Sequence, residues 1–114
     1  MQILVVEDEP SIRVLLERVL ARAGYEVRAC ATPAEALAGA SLYELAIVDY
    51  TLPGMDGVTL IRQLREVQPG LPVILCSGTP LTPPDFDPPV QFVQKPYRAR
   101  QLGDLVSATI AASD

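Results

Sequence analysis

Short apolar runs alternate along this chain with stretches in which apolar residues recur three or four positions apart, the pattern of buried strands and amphipathic helices taken in turn. Ile3-Leu4-Val5-Val6 is a continuous run with β-branched residues, of a length that suits a strand buried on both faces of a parallel sheet, and it stops at Glu7-Asp8-Glu9. Pro10 opens a helix, since its missing N–H would have no partner in a first turn, and Ile12, Leu15, Leu16, Val19, Leu20 and Ala23 follow at helical spacing until Gly24. A second strand spans about Glu26 to Ala31. Thr32-Pro33-Ala34-Glu35 then has the form of a capping box with proline at the first helical position, opening a short helix to about Ala40. Leu45-Ala46-Ile47-Val48 is a third strand and again ends at an acid, Asp49. The turn formers Leu52-Pro53-Gly54-Met55-Asp56-Gly57 lead into a helix marked by Leu60, Ile61, Leu64 and Val67 and closed by Pro69-Gly70. Val73-Ile74-Leu75-Cys76 is a fourth strand ending at Ser77-Gly78. From Thr79 to Pro89 the chain holds five prolines (Pro80, Pro83, Pro84, Pro88, Pro89), which argue against a regular helix there. Val90 to Gln94 is a fifth strand broken by Lys95-Pro96, and Leu102, Leu105, Val106 and Ile110 mark a last helix. This order predicts the α/β class, a doubly wound parallel sheet with right-handed crossovers, in one domain over 1–114 without repeat or linker.

The composition narrows the function classes. With 49% apolar and 20% charged residues the chain has the balance of a compact protein, and 114 residues are enough for an ordinary core without staples. Fourteen acidic against nine basic residues give a net charge of -5, the wrong sign for holding a phosphate backbone, so no direct nucleic-acid binding is expected. The N-terminus lacks the basic flank and length of a signal peptide or membrane span, so no membrane insertion is expected. Cys30 and Cys76 lie in apolar runs without C-x-x-C spacing and read as reduced core thiols, which favours a cytoplasmic location. Histidine is absent, which excludes a Ser-His-Asp or Cys-His nucleophile, a histidine-ligated zinc and a phosphohistidine.

In an open α/β sheet the ligand site lies beyond the carboxyl ends of the strands, where the strand order reverses. The unusual polar residues fall there: Glu7 and Asp8 after the first strand, Asp49 after the third, Ser77 after the fourth, and Lys95, the chain's single lysine, after the fifth. Three carboxylates brought within a few ångströms repel one another, at roughly 4 kcal/mol per pair at 4 Å for an effective dielectric of 20, so a positive ion is expected among them. Hard oxygen ligands favour magnesium, with manganese as substitute. Such an ion, a lysine and a hydroxyl suit the oxygens of a transferring phosphoryl group, with Asp49 as the nucleophile. Glu9 and Asp56 read instead as loop or helix-cap residues.

The combination Ile3-Leu4-Val5-Val6-Glu7-Asp8-Glu9-Pro10, Val48-Asp49, Leu52-Pro53-Gly54-Met55-Asp56-Gly57, Ser77-Gly78 and Lys95-Pro96 resembles the response-regulator receiver domain of two-component signalling, over essentially the whole chain. The resemblance implies a flavodoxin-like sheet of five strands in the order 2-1-3-4-5, in which Asp49 takes a phosphoryl group from the phosphohistidine of a sensor histidine kinase or phosphotransfer protein and alters binding of a downstream protein target. It further implies that Glu7, Asp8 and Asp49 hold the metal together with the backbone carbonyl of Thr51, and that Lys95 binds phosphate. Ser77 matches the switch hydroxyl, Gly78 the small residue after it, Phe92 the aromatic switch residue and Pro96 a cis proline. A chain without histidine must be phosphorylated in trans, and beyond self-dephosphorylation no enzymatic activity is implied.

Two features depart from the family pattern. Glu7 stands where aspartate is commonest, which lengthens the reach to the metal. The segment 79–89 replaces the family's fourth helix, which is expected to be short or missing, and this suggests a mobile segment and leaves the usual output surface and the oligomeric state open. Receivers attached to hybrid sensor kinases look similar around the Ser-Gly turn. Two other functions compete with the phosphoacceptor reading: a pseudo-receiver that binds partners without phosphorylation, and a magnesium-dependent phosphatase-like hydrolase. The second lacks the D-x-D spacing, since Tyr50 and Thr51 follow Asp49, and a nucleotide-binding enzyme lacks both glycine-rich phosphate motifs.

Overall fold

The computed structural model describes residues 2–39 and 42–113, with β1 (Gln2–Val6), α1 (Pro10–Arg22), β2 (Glu26–Cys30), α2 (Pro33–Ala38), β3 (Tyr43–Asp49), α3 (Gly57–Val67), β4 (Val73–Ser77), β5 (Gln91–Gln94) and α4 (Ala99–Ser113) in chain order. All four strand pairings are parallel, and the order across the sheet is β2-β1-β3-β4-β5, as the family resemblance implies. The strand order reverses between β1 and β3, so the ends of those two strands flank the cleft where such sheets bind ligands.

The two-residue period of the strands sorts the core into two layers. Leu4, Val6, Ala46, Val48 and Leu75 face α2 and α3, meeting Ala36, Leu60, Ile61 and Leu64. Ile3, Val5, Leu45, Ile47 and Ile74 face α1 and α4, meeting Leu16, Leu20, Leu102 and Val106. The central strands are buried on both sides, which is why their sequences read as unbroken apolar runs. Cys30 and Cys76 are free buried thiols, one in each layer, and burial pushes the Cys76 thiol up to about 12.

Local signals set the element ends. Proline stands in the first turn of α1 and of α2, and Gly24 after α1 has a positive φ of 97°. The Thr32 hydroxyl oxygen accepts from the Glu35 amide at 3.2 Å and caps α2, which ends at Ala38; the expected end near Ala40 lies outside the described residues. Asp56 caps α3 by accepting from the Thr59 amide at 2.8 Å, the cap role expected for it. Glu9 occupies the N-cap position of α1, where its carboxylate accepts from the Ser11 hydroxyl at 3.0 Å. Among the described residues, no helix is long and apolar enough to cross a membrane.

Between β4 and β5 the chain holds no helix, in agreement with the proline-based expectation. The segment is nonetheless anchored. Leu81, Phe86 and Val90 pack on the α3 side of the sheet, where they cover core that a helix would otherwise shield. Phe86 packs on two guanidinium groups of α3, with the Arg62 carbon 5.1 Å and the Arg65 carbon 5.5 Å from its ring centre. Arg65 also donates to the Pro88 carbonyl and, at 3.1 and 2.9 Å, to that of Leu71. Among the described residues, no amide from Thr79 to Asp87 donates a backbone-to-backbone hydrogen bond. Amide hydrogen exchange is therefore expected to show almost no protection over 79–89 beside the fully laddered β3; strong protection there would mean that a helix forms in solution.

Candidate functional site

The carboxyl ends of β1, β3, β4 and β5 bring the expected side chains into one cleft. Glu7 follows β1 directly, its amide donating to the Cys30 carbonyl at 3.0 Å, and the residue is only 3% exposed. Asp49 ends β3 and is 6% exposed, with the adjoining Tyr50 amide tied to the Cys76 carbonyl at 2.8 Å. Lys95 follows β5, its amide donating to the Ser77 carbonyl at 2.7 Å, so its ammonium points back across the strand ends. That ammonium lies 3.0 and 3.2 Å from the two Glu7 oxygens and 3.3 Å from an Asp49 oxygen. Glu7, Asp8 and Asp49 each present a carboxylate oxygen within 4.8 Å of the other two. This set of hard oxygen donors fits a divalent cation.

Burial, more than mutual repulsion, governs the charges. It pushes the Asp49 carboxyl above its usual range, with Lys95 pulling the other way and Asp8 adding to the rise. Burial likewise raises Glu7, against the hydrogen bond from Lys95 and in concert with Asp49. Burial works against the Lys95 charge too, but the hydrogen bond and charge of Glu7 and the charge of Asp49 outweigh it and hold the ammonium above its ordinary value. The longer Glu7 side chain, expected to alter the reach to a metal, is thus turned onto Lys95 with both oxygens.

The remaining expected residues surround this centre. Ser77 ends β4 almost fully buried, and its hydroxyl oxygen accepts from the Thr79 amide at 3.0 Å, which leaves its O–H free to donate. Gly78 has no heavy atom within 4 Å of where a Cβ would stand. Pro96 follows a cis peptide bond, as the resemblance implies. Phe92 is half-buried on the α3 side of β5, in the same layer as Leu81, Phe86 and Val90. Thr51 is exposed in the loop after β3.

Two contributors carry weak sequence signals. Arg13 sits in the first turns of α1, where a cation opposes the helix dipole, and the reason is visible: its guanidinium donates to the Glu7 carbonyl at 2.9 Å and the Asp8 carbonyl at 3.4 Å, bracing the acidic pair. Gly57 donates its amide to the Tyr50 carbonyl at 2.7 Å, and a Cβ on it would lie 2.5 Å from the Asp49 carbonyl oxygen and 2.9 Å from the Tyr50 Cα. Both obstacles are backbone atoms that cannot rotate aside. Gly57→Ala is therefore expected to cost about 1–3 kcal/mol in thermal or denaturant unfolding, whereas Gly78→Ala, with open space around it, is expected to leave stability nearly unchanged.

The profile of the response regulator receiver domain matches residues 3–83. The C4-dicarboxylate transport transcriptional regulatory protein DctD of Rhizobium meliloti is 33% identical over 88% of this chain, which spans 23% of that relative's length; other curated relatives are matched over half of their length or less. Among solved structures, the receiver domain of the hybrid histidine kinase CckA is 33% identical with a TM-score of 0.84, covering 96% of this chain and 99% of that one. The response regulator TrrA of Thermotoga maritima, solved in complex with Mg2+-BeF, is 30% identical with a TM-score of 0.81, covering 96% and 99%. With the profile spanning most of the chain and a relative 33% identical over 88% of it, this protein belongs to the response regulator receiver domain family of two-component signalling.

Proposed function

We propose that Asp49 is the phosphoacceptor of this receiver, taking its phosphoryl group from the phosphohistidine of a sensor histidine kinase or phosphotransfer protein. The observation that carries the reading is the placement of the Lys95 ammonium, 3.3 Å from Asp49 and bonded to Glu7, inside a cluster completed by Asp8. Receiver domains interact with histidine kinases and phosphotransfer proteins, and a chain without histidine needs such a donor. The downstream target is a protein, and the setting is cytoplasmic.

An Asp49 oxygen attacks phosphorus in line, forming a P–O bond as the P–N bond to the donor imidazole breaks. Lys95 neutralises one phosphoryl oxygen, and its prior contact with Asp49 means that little reorganisation is needed. The carboxylates of Glu7, Asp8 and Asp49 and the backbone carbonyl of Thr51 are the groups that would hold magnesium, which supplies positive charge opposite the remaining oxygens when bound. Ser77 then donates its hydroxyl proton to a phosphoryl oxygen, and Phe92 moves inward as the hydroxyl leaves its resting place, with Gly78 and the cis Pro96 shaping the two loops. Hydrolysis of the acyl phosphate resets the domain.

Incubation with acetyl phosphate and magnesium, followed by intact mass measurement, tests this reading. The wild-type chain is expected to gain one acid-labile phosphoryl group and Asp49→Ala none. A chain that gains nothing would be a pseudo-receiver, and steady turnover of phosphoesters without a retained phosphoryl group would identify a hydrolase.

A further inference from the structure

Asp8 is the least supported member of the acidic cluster. Glu7 turns both carboxylate oxygens onto Lys95, and Asp49 meets the same ammonium at 3.3 Å, so each of these side chains is held before any ion arrives. Asp8 is exposed and lies between β1 and α1, outside both elements. Among the described residues its carboxylate has no ion-pair partner. One of its oxygens nonetheless stands within 4.8 Å of oxygens from both other acids. The direction of that side chain has to come from the backbone.

Arg13 holds that backbone. Its Nη1 donates to the Glu7 carbonyl at 2.9 Å and to the Asp8 carbonyl at 3.4 Å. Those carbonyls belong to the two peptide units on either side of the Asp8 Cα. Each unit is planar, so fastening both leaves the φ and ψ of Asp8 little freedom and fixes where its Cβ points. The far end of this clamp is anchored too, because the Arg13 amide donates to the Glu9 carbonyl at 3.0 Å in the first turn of α1. Among the described residues the Arg13 guanidinium forms no ion pair, although three carboxylates stand nearby, and it spends its donors on the main chain.

We infer that Arg13 is a positioning residue of the metal site: by clamping the peptide units on both sides of Asp8, it aims that carboxylate at the point faced by Glu7 and Asp49. This deepens the phosphoacceptor reading and rests on it for the identity of the ion. The charge of Arg13 acts in the opposite direction, since a cation beside the acids repels an incoming divalent ion. Removing the side chain therefore weakens magnesium binding if the clamp dominates and strengthens it if the charge does.

The test is calorimetric titration of magnesium into the metal-free full chain and into Arg13→Met and Arg13→Lys, with the fold of each checked by far-UV circular dichroism. Arg13→Met is expected to weaken magnesium binding about tenfold, the lower end of what a metal site loses with a group that orients its ligands. Arg13→Lys keeps the charge but not the reach of the planar guanidinium, and its affinity is expected to fall between the other two. The magnesium concentration for half-maximal phosphoryl uptake from acetyl phosphate is expected to rise by the same factors. Unchanged binding in folded Arg13→Met would overturn the clamp and leave the arginine a purely structural residue; tighter binding would overturn it in favour of a repelling charge. If Arg13→Met does not fold, Arg13→Lys decides, with unchanged affinity overturning the clamp and weaker affinity supporting it. A wild-type chain that binds no magnesium overturns it as well, and if acetyl phosphate also adds no mass, the phosphoacceptor reading falls with it.

Discussion

Lys95→Ala is expected to slow phosphoryl uptake from acetyl phosphate by about 10²–10³-fold, the loss typical when one preorganised charge donor is removed from a phosphoryl or oxyanion site. The same substitution is expected to weaken the fold. Glu7 and Asp49 are both nearly inaccessible, and the ammonium 3.0 to 3.3 Å away is the basic group bonded to them. Removing one partner from a buried ionic cluster leaves charge without compensation and costs about 3 kcal/mol, or roughly ten degrees in melting temperature for a domain of this size. The pH dependence has a definite sign. Both carboxyls are raised in the folded state, so the folded chain binds protons more tightly than the unfolded one at these sites. Their favourable contribution is complete below the ordinary carboxyl range and is lost as pH rises through the raised values. The stability gap between Lys95→Ala and wild type is therefore expected to be widest near neutrality without metal and to narrow on acidification. A gap that stays constant would show that Lys95 acts through packing. In the wild type the raised lysine adds stability as long as its carboxylate partners stay charged, and at high pH this is lost as pH climbs from the ordinary lysine range through the ammonium's own elevated value.

Asp49→Asn is expected to move stability in the opposite direction while abolishing phosphoryl uptake. Its carboxyl is raised despite the attraction of Lys95, so the folded site disfavours the charge on balance, and the neutral amide of the same shape relieves that burden. A rise of a few degrees in the metal-free melting temperature is expected, the response to roughly 1 kcal/mol. Magnesium is expected to stabilise the wild type, by about 2.7 kcal/mol at a hundred times its dissociation constant, and to stabilise Asp49→Asn much less. Equal magnesium shifts in both chains would remove Asp49 from the metal site. A lower melting temperature for Asp49→Asn would mean that its bond to Lys95 outweighs the cost of burying it.

The strands and the cleft were legible because both follow from periodicities confined to single elements, whereas the sheet order came from the family resemblance. In a parallel sheet all strands end on one edge, so residues just after Val6, Val48, Cys76 and Gln94 must converge whatever lies between them. The missing helix was legible for an equally local reason, since prolines act on their own turn. The attachment of the segment between β4 and β5 was not, because the contacts of Phe86 with Arg62 and Arg65 join residues more than twenty positions apart, and an arginine in a sequence does not say whether it meets solvent, a carboxylate or a ring. The brace from Arg13 to the backbone of Glu7 and Asp8 was hidden in the same way. Repulsion among carboxylates could be argued from spacing alone, but the larger cause of their raised values is burial, which depends on how closely the two helical layers shut over the strand ends.

The contact of Lys95 with both Glu7 and Asp49 makes this side chain a tethered monovalent counter-ion. The resting domain thereby offsets part of the charge of its acidic centre from its own covalent stock, and an incoming divalent ion would have to compete with an ammonium that is always present. A phosphoryl group on Asp49, as proposed, would draw the lysine toward itself, end that competition and release Glu7. Occupancy by metal and occupancy by phosphorus should then reinforce each other, so that a cell poor in magnesium would blunt the signal without unfolding the protein that carries it.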